Sequence, residues 1–131
     1  QGMKGGEIII DGHAEDYLGC FMRRGLIIVK GNVGKFCCFK MIAGNVILFR
    51  SYKSFLGLSM KRGTIFLMSH EIKNIGARGS KSFDFVESTF FKYFKNYLKS
   101  KFSINLGNTK YKRFYADRSV NGVGEILIKQ N

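Results

Sequence analysis

The chain has 131 residues, of which 45% are hydrophobic and 24% charged, a composition that excludes wholesale disorder and collagen-like repeats. Its 22 Lys and Arg residues against 9 Asp and Glu residues give a net charge of +13, which indicates either a polyanionic partner or a lysine-rich proteome. The apolar runs are far shorter than the roughly 20 residues that cross a bilayer. We therefore expect no membrane partner. Three cysteines, two of them adjacent, make no disulfide framework, which favours a reducing compartment and hence a cytoplasmic chain.

A repeat of 19 residues runs through the first half of the chain. Each repeat has a methionine, a glycine three residues later, and then an apolar segment. The methionines are Met3, Met22, Met41 and Met60, and the glycines are Gly6, Gly25, Gly44 and Gly63. Nineteen residues are too few for a strand plus a crossover helix, which need about 30, so each repeat is interpreted as a short strand with turns.

Strands stacked in register predict a right-handed parallel β-helix over residues 1–70, with one coil per repeat. The methionines would fill an inner corner, and the glycines would serve tight turns or close approaches between coils. A leucine-rich horseshoe is the alternative architecture, but its leucine spacing is missing. Because the chain starts two residues before a repeat boundary without a polar cap, we expect further coils upstream or a partner at that end.

Side-chain alternation predicts an apolar stripe on the outside of the solenoid, with one residue from each coil. The apolar stripe consists of Ile9, Ile28, Ile47 and Phe66. Exposed stripes of this kind mark contact surfaces, so the stripe is a candidate subunit interface. The alternative is cover by the chain's own C-terminal helix near the last two coils, with a partner subunit over the earlier coils, and the sequence leaves both open.

Residues 71–131 are predicted to form a C-terminal capping segment. Residues 71–82 are interpreted as a connecting loop, and aromatic residues at intervals of three and four then predict an amphipathic helix over about 85–101. Asp84 and Glu87 have the spacing of a capping box. The basic, Phe-rich helix is expected to pack on its own domain rather than on a membrane. Two short strands complete the segment, at 111–115 and 125–128.

No catalytic constellation is recognisable in the sequence. His13 and His70 share a repeat column but would lie three coils apart, about 14 Å, too far to share a metal. The acidic residues Asp11, Glu15 and Asp16 are interpreted as a solvated edge rather than as an acid–base site. We therefore expect no active site, no metal and no directly bound cofactor.

Five basic residues occupy the two columns before the repeat glycine, and stacking would align them along one edge. This basic ridge consists of Lys4, Arg23, Arg24, Lys61 and Arg62. It is interpreted either as a docking surface for an acidic partner or an anionic cofactor tail, or as a solvated face.

Several segments resemble a known family. GGEIIIDGHAEDYLG, MRRGLIIVKGNVGKF and MKRGTIFL resemble the glycine-rich repeat domain shared by the β-helical subunit of formylmethanofuran dehydrogenase and the C-terminal domain of glutamate synthase. YKRFYADRSVNGVGEILI resembles the closing segment of that dehydrogenase subunit. MRRGLIIVKGNVG, followed by MIAG and a Phe-rich helix, is most similar to the bacterial version, which belongs to the formyltransferase/hydrolase complex of methylotrophs.

The resemblance implies a non-catalytic structural subunit in tetrahydromethanopterin-linked one-carbon metabolism, the chemistry of methanogenesis and methylotrophy. Its partners would be amidohydrolase-like and formyltransferase-like chains, and the complex would handle methanofuran or methylofuran, whose anionic tail is a hypothetical partner of the basic ridge. The chain departs from the repeat at Cys38, Arg50 and Ser69, where equivalent positions carry glycine. A glutamate-synthase-type structural domain and a free-standing basic polyanion-binding domain are the alternatives. Nucleic acid is disfavoured because the coils lack an aromatic–basic recognition motif.

Overall fold

The computed structural model describes residues 2–69, 82–84, 88–107, 110–115 and 124–130. They form seven strands and one helix. In chain order these are β1 (Lys4–Ile10), β2 (Arg24–Val29), β3 (Asn45–Leu48), β4 (Thr64–Leu67), β5 (Ser82–Asp84), α1 (Thr89–Phe102), β6 (Tyr111–Tyr115) and β7 (Glu125–Lys129).

The first four strands stack in parallel in the order of the repeats. Val46 of β3 pairs with Ile27 of β2 and with Ile65 of β4, so residues 19 apart are direct neighbours. The predicted parallel β-helix with a C-terminal helix is thereby confirmed as a parallel β-solenoid of about three turns. The repeat exists because equivalent positions in successive coils share one register, and a slip by one residue would exchange the inner and outer faces.

The last strand of the chain returns to the solenoid. Strand β7 pairs in parallel with β4, with Phe66 opposite Leu127, and so adds a fifth parallel rung. Strands β6 and β5 then continue the sheet in antiparallel fashion. The sequence predicted strands at 111–115 and 125–128 but not their place in the sheet. Strand β5 contains Ser82, the last residue of the predicted loop, and Asp84, the first residue of the predicted capping box, while residues 71–81 of that loop lie outside the described residues.

Inside the solenoid, each repeat methionine packs against a glycine of the following coil. A Cβ atom on that glycine would lie 2.8 Å from the methionine Cε, closer than real Cβ atoms approach. The methionine and glycine columns of the sequence are therefore two halves of one contact. The pairs are Met3 with Gly25, Met22 with Gly44, Met41 with Gly63, and Met60 with Gly124 at the start of β7.

Helix α1 begins after Ser88, whose hydroxyl accepts a hydrogen bond from the Phe91 N–H at 3.1 Å. This cap is four residues beyond Asp84, which belongs to β5, while Glu87 lies outside the described residues. The helix ends at Ser103, which adopts a left-handed conformation and donates its N–H to the last helical carbonyls. The predicted helix is therefore present but starts at Thr89, because a serine and not an acidic pair caps it.

The helix crosses the outer face of the sheet from β4 to β1. Its first turns stack Phe91 and Phe94 on Phe66 of β4, with ring centroids 5.8 and 5.4 Å apart. Its last turn reaches Glu7 of β1 through Lys101. The rise from Phe91 to Lys101, about 15 Å, matches about 14 Å across three strand spacings. One helix of this length therefore spans the four repeat strands.

Replacing Gly63 by alanine tests the methionine–glycine contact. Gly63 has a φ of +100°, and its Cβ would meet both Met41 Cε and the carbonyl oxygen of Gly44 at 2.8 Å. We expect Gly63→Ala to lower the free energy of unfolding by about 2–4 kcal/mol, the sum of backbone strain and overpacking, in chemical denaturation.

Gly6→Ala is the matched control, because Gly6 also has a positive φ, +79°, but has nothing within 4 Å of its Cβ position. It should lose only the backbone contribution, about 1–2 kcal/mol. Equal losses for the two variants would contradict the packing role of the glycine column.

Candidate functional site

Most of the predicted apolar stripe lies beneath the chain's own helix. Ile28, Ile47 and Phe66 are buried in one cluster with Phe91 and Leu98 of α1. The chain's own helix therefore covers the apolar stripe over β2–β4. The prediction that all four stripe residues form a subunit interface is corrected accordingly. The physical reason is that the aromatic face of α1 and the stripe are mutually complementary apolar surfaces, and burying both removes them from water.

The first coil remains open to solvent on both faces. Ile9 of the apolar stripe is 42% exposed, and Ile8, which pairs with the inward-facing Ile27, is 43% exposed. Helix α1 meets β1 through polar groups rather than through Ile9. Ile9 is the part of the predicted interface that this chain leaves accessible, and Ile8 is an inner-face residue of the first coil that is exposed as well.

Helix α1 also presents aromatic side chains to solvent. Phe90 is 68% exposed and Tyr93 is 70% exposed, and these two residues are named here the exposed aromatic pair. The spacing of the aromatic residues predicts Phe90 on the packed face of the helix together with Phe91 and Phe94, and Tyr93 was not among the residues predicted there. A signal was present, because helical spacing places Tyr93 on a polar part of the predicted helix, beside Asn96 and Ser100. Exposed rings of this size favour contact with another protein.

A carboxylate holds the end of α1 onto the first coil. Lys101 Nζ donates to Glu7 Oε1 at 2.6 Å, and the Tyr97 hydroxyl donates to Glu7 Oε2. The Lys101 hydrogen bond, followed by that from Tyr97, lowers the pKa of Glu7. The same bond to Glu7 raises the pKa of Lys101. The charged pair is therefore the favoured state at neutral pH, and it ties the helix to β1.

The basic ridge is present but interrupted. All five of its side chains are exposed, and within the described part of the chain none of them makes an ion pair. Ile42 and Ala43 occupy the same two columns in the third coil and leave a gap. Lys4 pairs with Arg24 across a register irregularity in β1, so the first coil is offset from the others. The ridge consequently has two basic ends separated by an apolar step.

The histidine column forms a ladder of hydrogen bonds between coils. The Asn32 N–H donates to His13 Nδ1 at 2.7 Å, and the Ser51 N–H donates to Asn32 Oδ1 at 3.2 Å. His70, the fourth member of the column, lies outside the described residues. Within the ranges that the structure describes, no three His, Cys, Asp or Glu side chains are grouped as a metal site requires.

The clustered acidic residues likewise connect neighbouring coils. Asp16 Oδ1 accepts the Lys35 N–H at 2.7 Å, and Asp11 pairs with Lys30 at 3.3 Å. These carboxylates therefore stabilise turns of the solenoid through contacts between neighbouring coils.

The cysteines have the environment of core residues. Cys37 and Cys38 are buried with their Sγ atoms 3.7 Å apart. The hydrogen bond with Cys37, together with burial, raises the pKa of Cys38 well above its ordinary value, and burial raises the pKa of Cys20. Thiols of raised pKa stay protonated and are poor nucleophiles. Cys38 takes the left-handed conformation, φ +61°, that Gly19 and Gly57 adopt at the same turn.

An aromatic ladder lines one corner of the coils. Tyr17, Phe36 and Phe55, each 19 residues apart, stack with ring centroids 5.2 and 5.1 Å apart. All three have a positive φ, between +56° and +62°, which is unusual for aromatic residues. The sequence showed the recurring column, but not that its rings stack on one another. This stacking helps to hold a strained turn in place.

No family model and no curated protein matches the sequence. Among solved structures, a chain of the formyltransferase/hydrolase complex (FhcABCD) from Methylorubrum extorquens, crystallised in complex with methylofuran, is similar to this chain. The TM-score is 0.81 and the identity 26%, over 95% of this chain. This chain spans 46% of that neighbour, about half its length. Within the described ranges, no helix has the length and apolar character needed to cross a membrane.

The stability contributed by the contact of Glu7 with α1 should depend on pH at both extremes. Because the folded-state pKa of Glu7 lies below its ordinary value of 4.5, this stability is present above pH 4.5 and is lost as the pH falls through the lowered pKa. Because the pKa of Lys101 lies above 10.5, stability is present below pH 10.5 and is lost as the pH rises through the raised pKa. We expect Glu7→Gln to lower the urea midpoint at neutral pH and to match the unsubstituted chain in acid.

The exposed Glu15 provides the control, since Glu15→Gln removes the same charge from the same coil. An equal effect of the two substitutions at neutral pH would show that net charge, and not the contact with Lys101, is responsible.

Proposed function

We propose that this chain is a structural and assembly subunit, or part of one, in a formyltransferase/hydrolase complex. The similarity to a chain of such a complex, with a TM-score of 0.81 over 95% of this chain, carries the proposal. The repeats and the closing segment, which resemble the β-helical subunit of formylmethanofuran dehydrogenase, support the position of that subunit within the complex. This chain spans only 46% of the neighbour. The activity and partners of the whole complex are therefore proposed for this chain as well, and are not taken over from the neighbour.

The chemistry would belong to sister subunits. The candidate catalytic groups of the described residues are engaged within the solenoid: His13 and Asp16 accept hydrogen bonds from the next coil, and Cys38 is a buried protonated thiol. This arrangement supports a non-catalytic role. An amidohydrolase-like and a formyltransferase-like chain would carry the reactions, in the one-carbon metabolism of a methylotroph, with methylofuran as the coenzyme that the complex handles.

Two surfaces are proposed to meet the sister subunits. Ile9 and the exposed aromatic pair supply apolar and aromatic area, and aromatic residues are enriched among the anchors of protein interfaces. The basic ridge supplies positive charge for an acidic partner or for the anionic tail of the coenzyme. Charge of this kind accelerates association and selects partners more than it adds affinity.

Affinity purification of the tagged chain from its native host tests the membership. We expect recovery with an amidohydrolase-like and a formyltransferase-like chain, identified by mass spectrometry. Replacing the exposed aromatic pair, Phe90→Ser with Tyr93→Ser, should reduce that recovery by about tenfold or more, because anchor residues dominate interface energies. Asn96→Ser, on an exposed position of the same helix, should leave it unchanged. Recovery of the chain as a lone monomer would contradict the proposal.

Charge reversal on the basic ridge tests its proposed role separately. In the purified complex, changing Arg23, Arg24, Lys61 and Arg62 to Glu should weaken retention of methylofuran by about tenfold or more, because opposed charges become like charges. The control variant, Lys92→Glu with Lys99→Glu, reverses charge on the exposed face of α1, away from the ridge, and should leave retention of methylofuran unchanged. Unchanged retention in the ridge variant would reject the ridge hypothesis while leaving membership of the complex intact.

A further inference from the structure

A cleft of about 820 Å³ lies just after the strands of the second, third and fourth coils, next to the C-terminal end of α1. Its charged lining residues are Lys30 and Arg50, and no acidic side chain lines it among the described residues. Phe49 and Ile104 supply an apolar wall, and Ser69 supplies a hydroxyl. The volume falls within the roughly 300–1,000 Å³ of small-molecule sites. The cleft lies apart from the basic ridge and shares no residue with it.

The two cationic side chains of the cleft differ in whether a nearby carboxylate already balances their charge. Lys30 Nζ lies 3.3 Å from Asp11 Oδ1, but the Asp11 side chain is 84% exposed, so water screens this pair. Arg50 has no ion-pair partner among the described residues. Its guanidinium is therefore available to a ligand, and the planar fork of donors matches carboxylate and phosphate oxygens.

Ser69 adds an unsatisfied donor to the same cleft. Its hydroxyl oxygen is buried and has no hydrogen-bond partner among the described residues. Buried polar groups in native proteins are nearly always paired, and an unpaired one is destabilising. A ligand oxygen in the cleft would remove this penalty.

The cleft is formed where the repeat departs from its pattern. Arg50 and Ser69 occupy the column that Gly12 and Gly31 occupy in the first two coils. At Gly31 there is no room for a side chain, because a Cβ atom there would collide with the Gly12 carbonyl. The third and fourth coils therefore carry a cation and a hydroxyl at a position that the earlier coils keep empty.

We propose that this cleft binds an organic anion through a carboxylate or phosphate group. Arg50 forms the bidentate contact, Lys30 adds charge, and the Ser69 hydroxyl donates to a ligand oxygen. The organic part of the ligand lies against Phe49 and Ile104. The proposal does not depend on membership of a complex, since every group named belongs to this chain.

Isothermal titration calorimetry on the full chain, with citrate and phenyl phosphate as separate probes at about 0.15 M KCl, tests the site. We expect at least one of the two probes to bind, and the probe with the lower Kd identifies whether a carboxylate or a phosphate is preferred. Arg50→Gln should weaken that binding by about tenfold or more, because a charge-assisted bidentate contact is lost. Arg50→Gly restores the residue of the first two coils and should weaken binding to the same extent. It takes the place of Arg50→Gln in the test if the glutamine variant folds poorly.

Ser69→Ala separates a ligand role from a structural one. Because the hydroxyl has no partner among the described residues, its removal should leave the Tm unchanged or higher while weakening probe binding several-fold. Lys92→Gln, which removes one charge from an exposed position of α1, should leave binding within about twofold, as expected for a screened distant charge. Absence of binding by both probes, or an equal loss in Lys92→Gln and Arg50→Gln, would overturn the proposal.

Discussion

The contact on which the structure depends is that of a methionine in one coil with a glycine in the next. The Cε of each repeat methionine occupies the space that a Cβ would need, and Gly25, Gly44 and Gly63 adopt φ values of +100° to +111°. Register follows from this contact, because a one-residue slip would place a side chain where only hydrogen fits. Once the register is set, the apolar strands align and build a continuous inner core and a continuous outer stripe. Gly124 extends the same contact to Met60, and so a strand far along the chain completes the sheet.

The outer stripe connects this core to the functional surfaces. A solenoid with an apolar outer face needs cover, and α1 supplies it over β2–β4 by stacking Phe91 and Phe94 on Phe66. The cover is polar at β1, where Glu7 meets Lys101 and Tyr97. One helix therefore stabilises the domain and defines what remains for partners: the first coil on one side and the exposed aromatic pair on its own outer face. These surfaces, rather than any reactive group, are the ones proposed to meet sister subunits.

Departures from the repeat have different structural consequences at different columns. Cys38 replaces a turn glycine without changing the turn, because the left-handed conformation is retained at φ +61° and the thiol is buried. Arg50 and Ser69 replace glycine at another column, and there the consequence is a cleft with an unpaired cation and an unsatisfied hydroxyl among the described residues. The difference is physical: the Cys38 side chain lies in a closed core, whereas the Arg50 side chain is exposed to solvent beside α1.

The sequence alone determined the parallel solenoid, its period and the presence of an amphipathic helix, because each is a local regularity repeated along the chain. It also identified the apolar stripe, but not what covers it. That choice depends on how a 14-residue helix lies across four strands, which no local pattern records. The fifth rung at β7, the stacked rings of Tyr17, Phe36 and Phe55, and the meeting of Arg50 with Ile104 were decided by tertiary structure. Each joins residues whose relative position is set only after the coils have stacked, so only the folded chain brings them together.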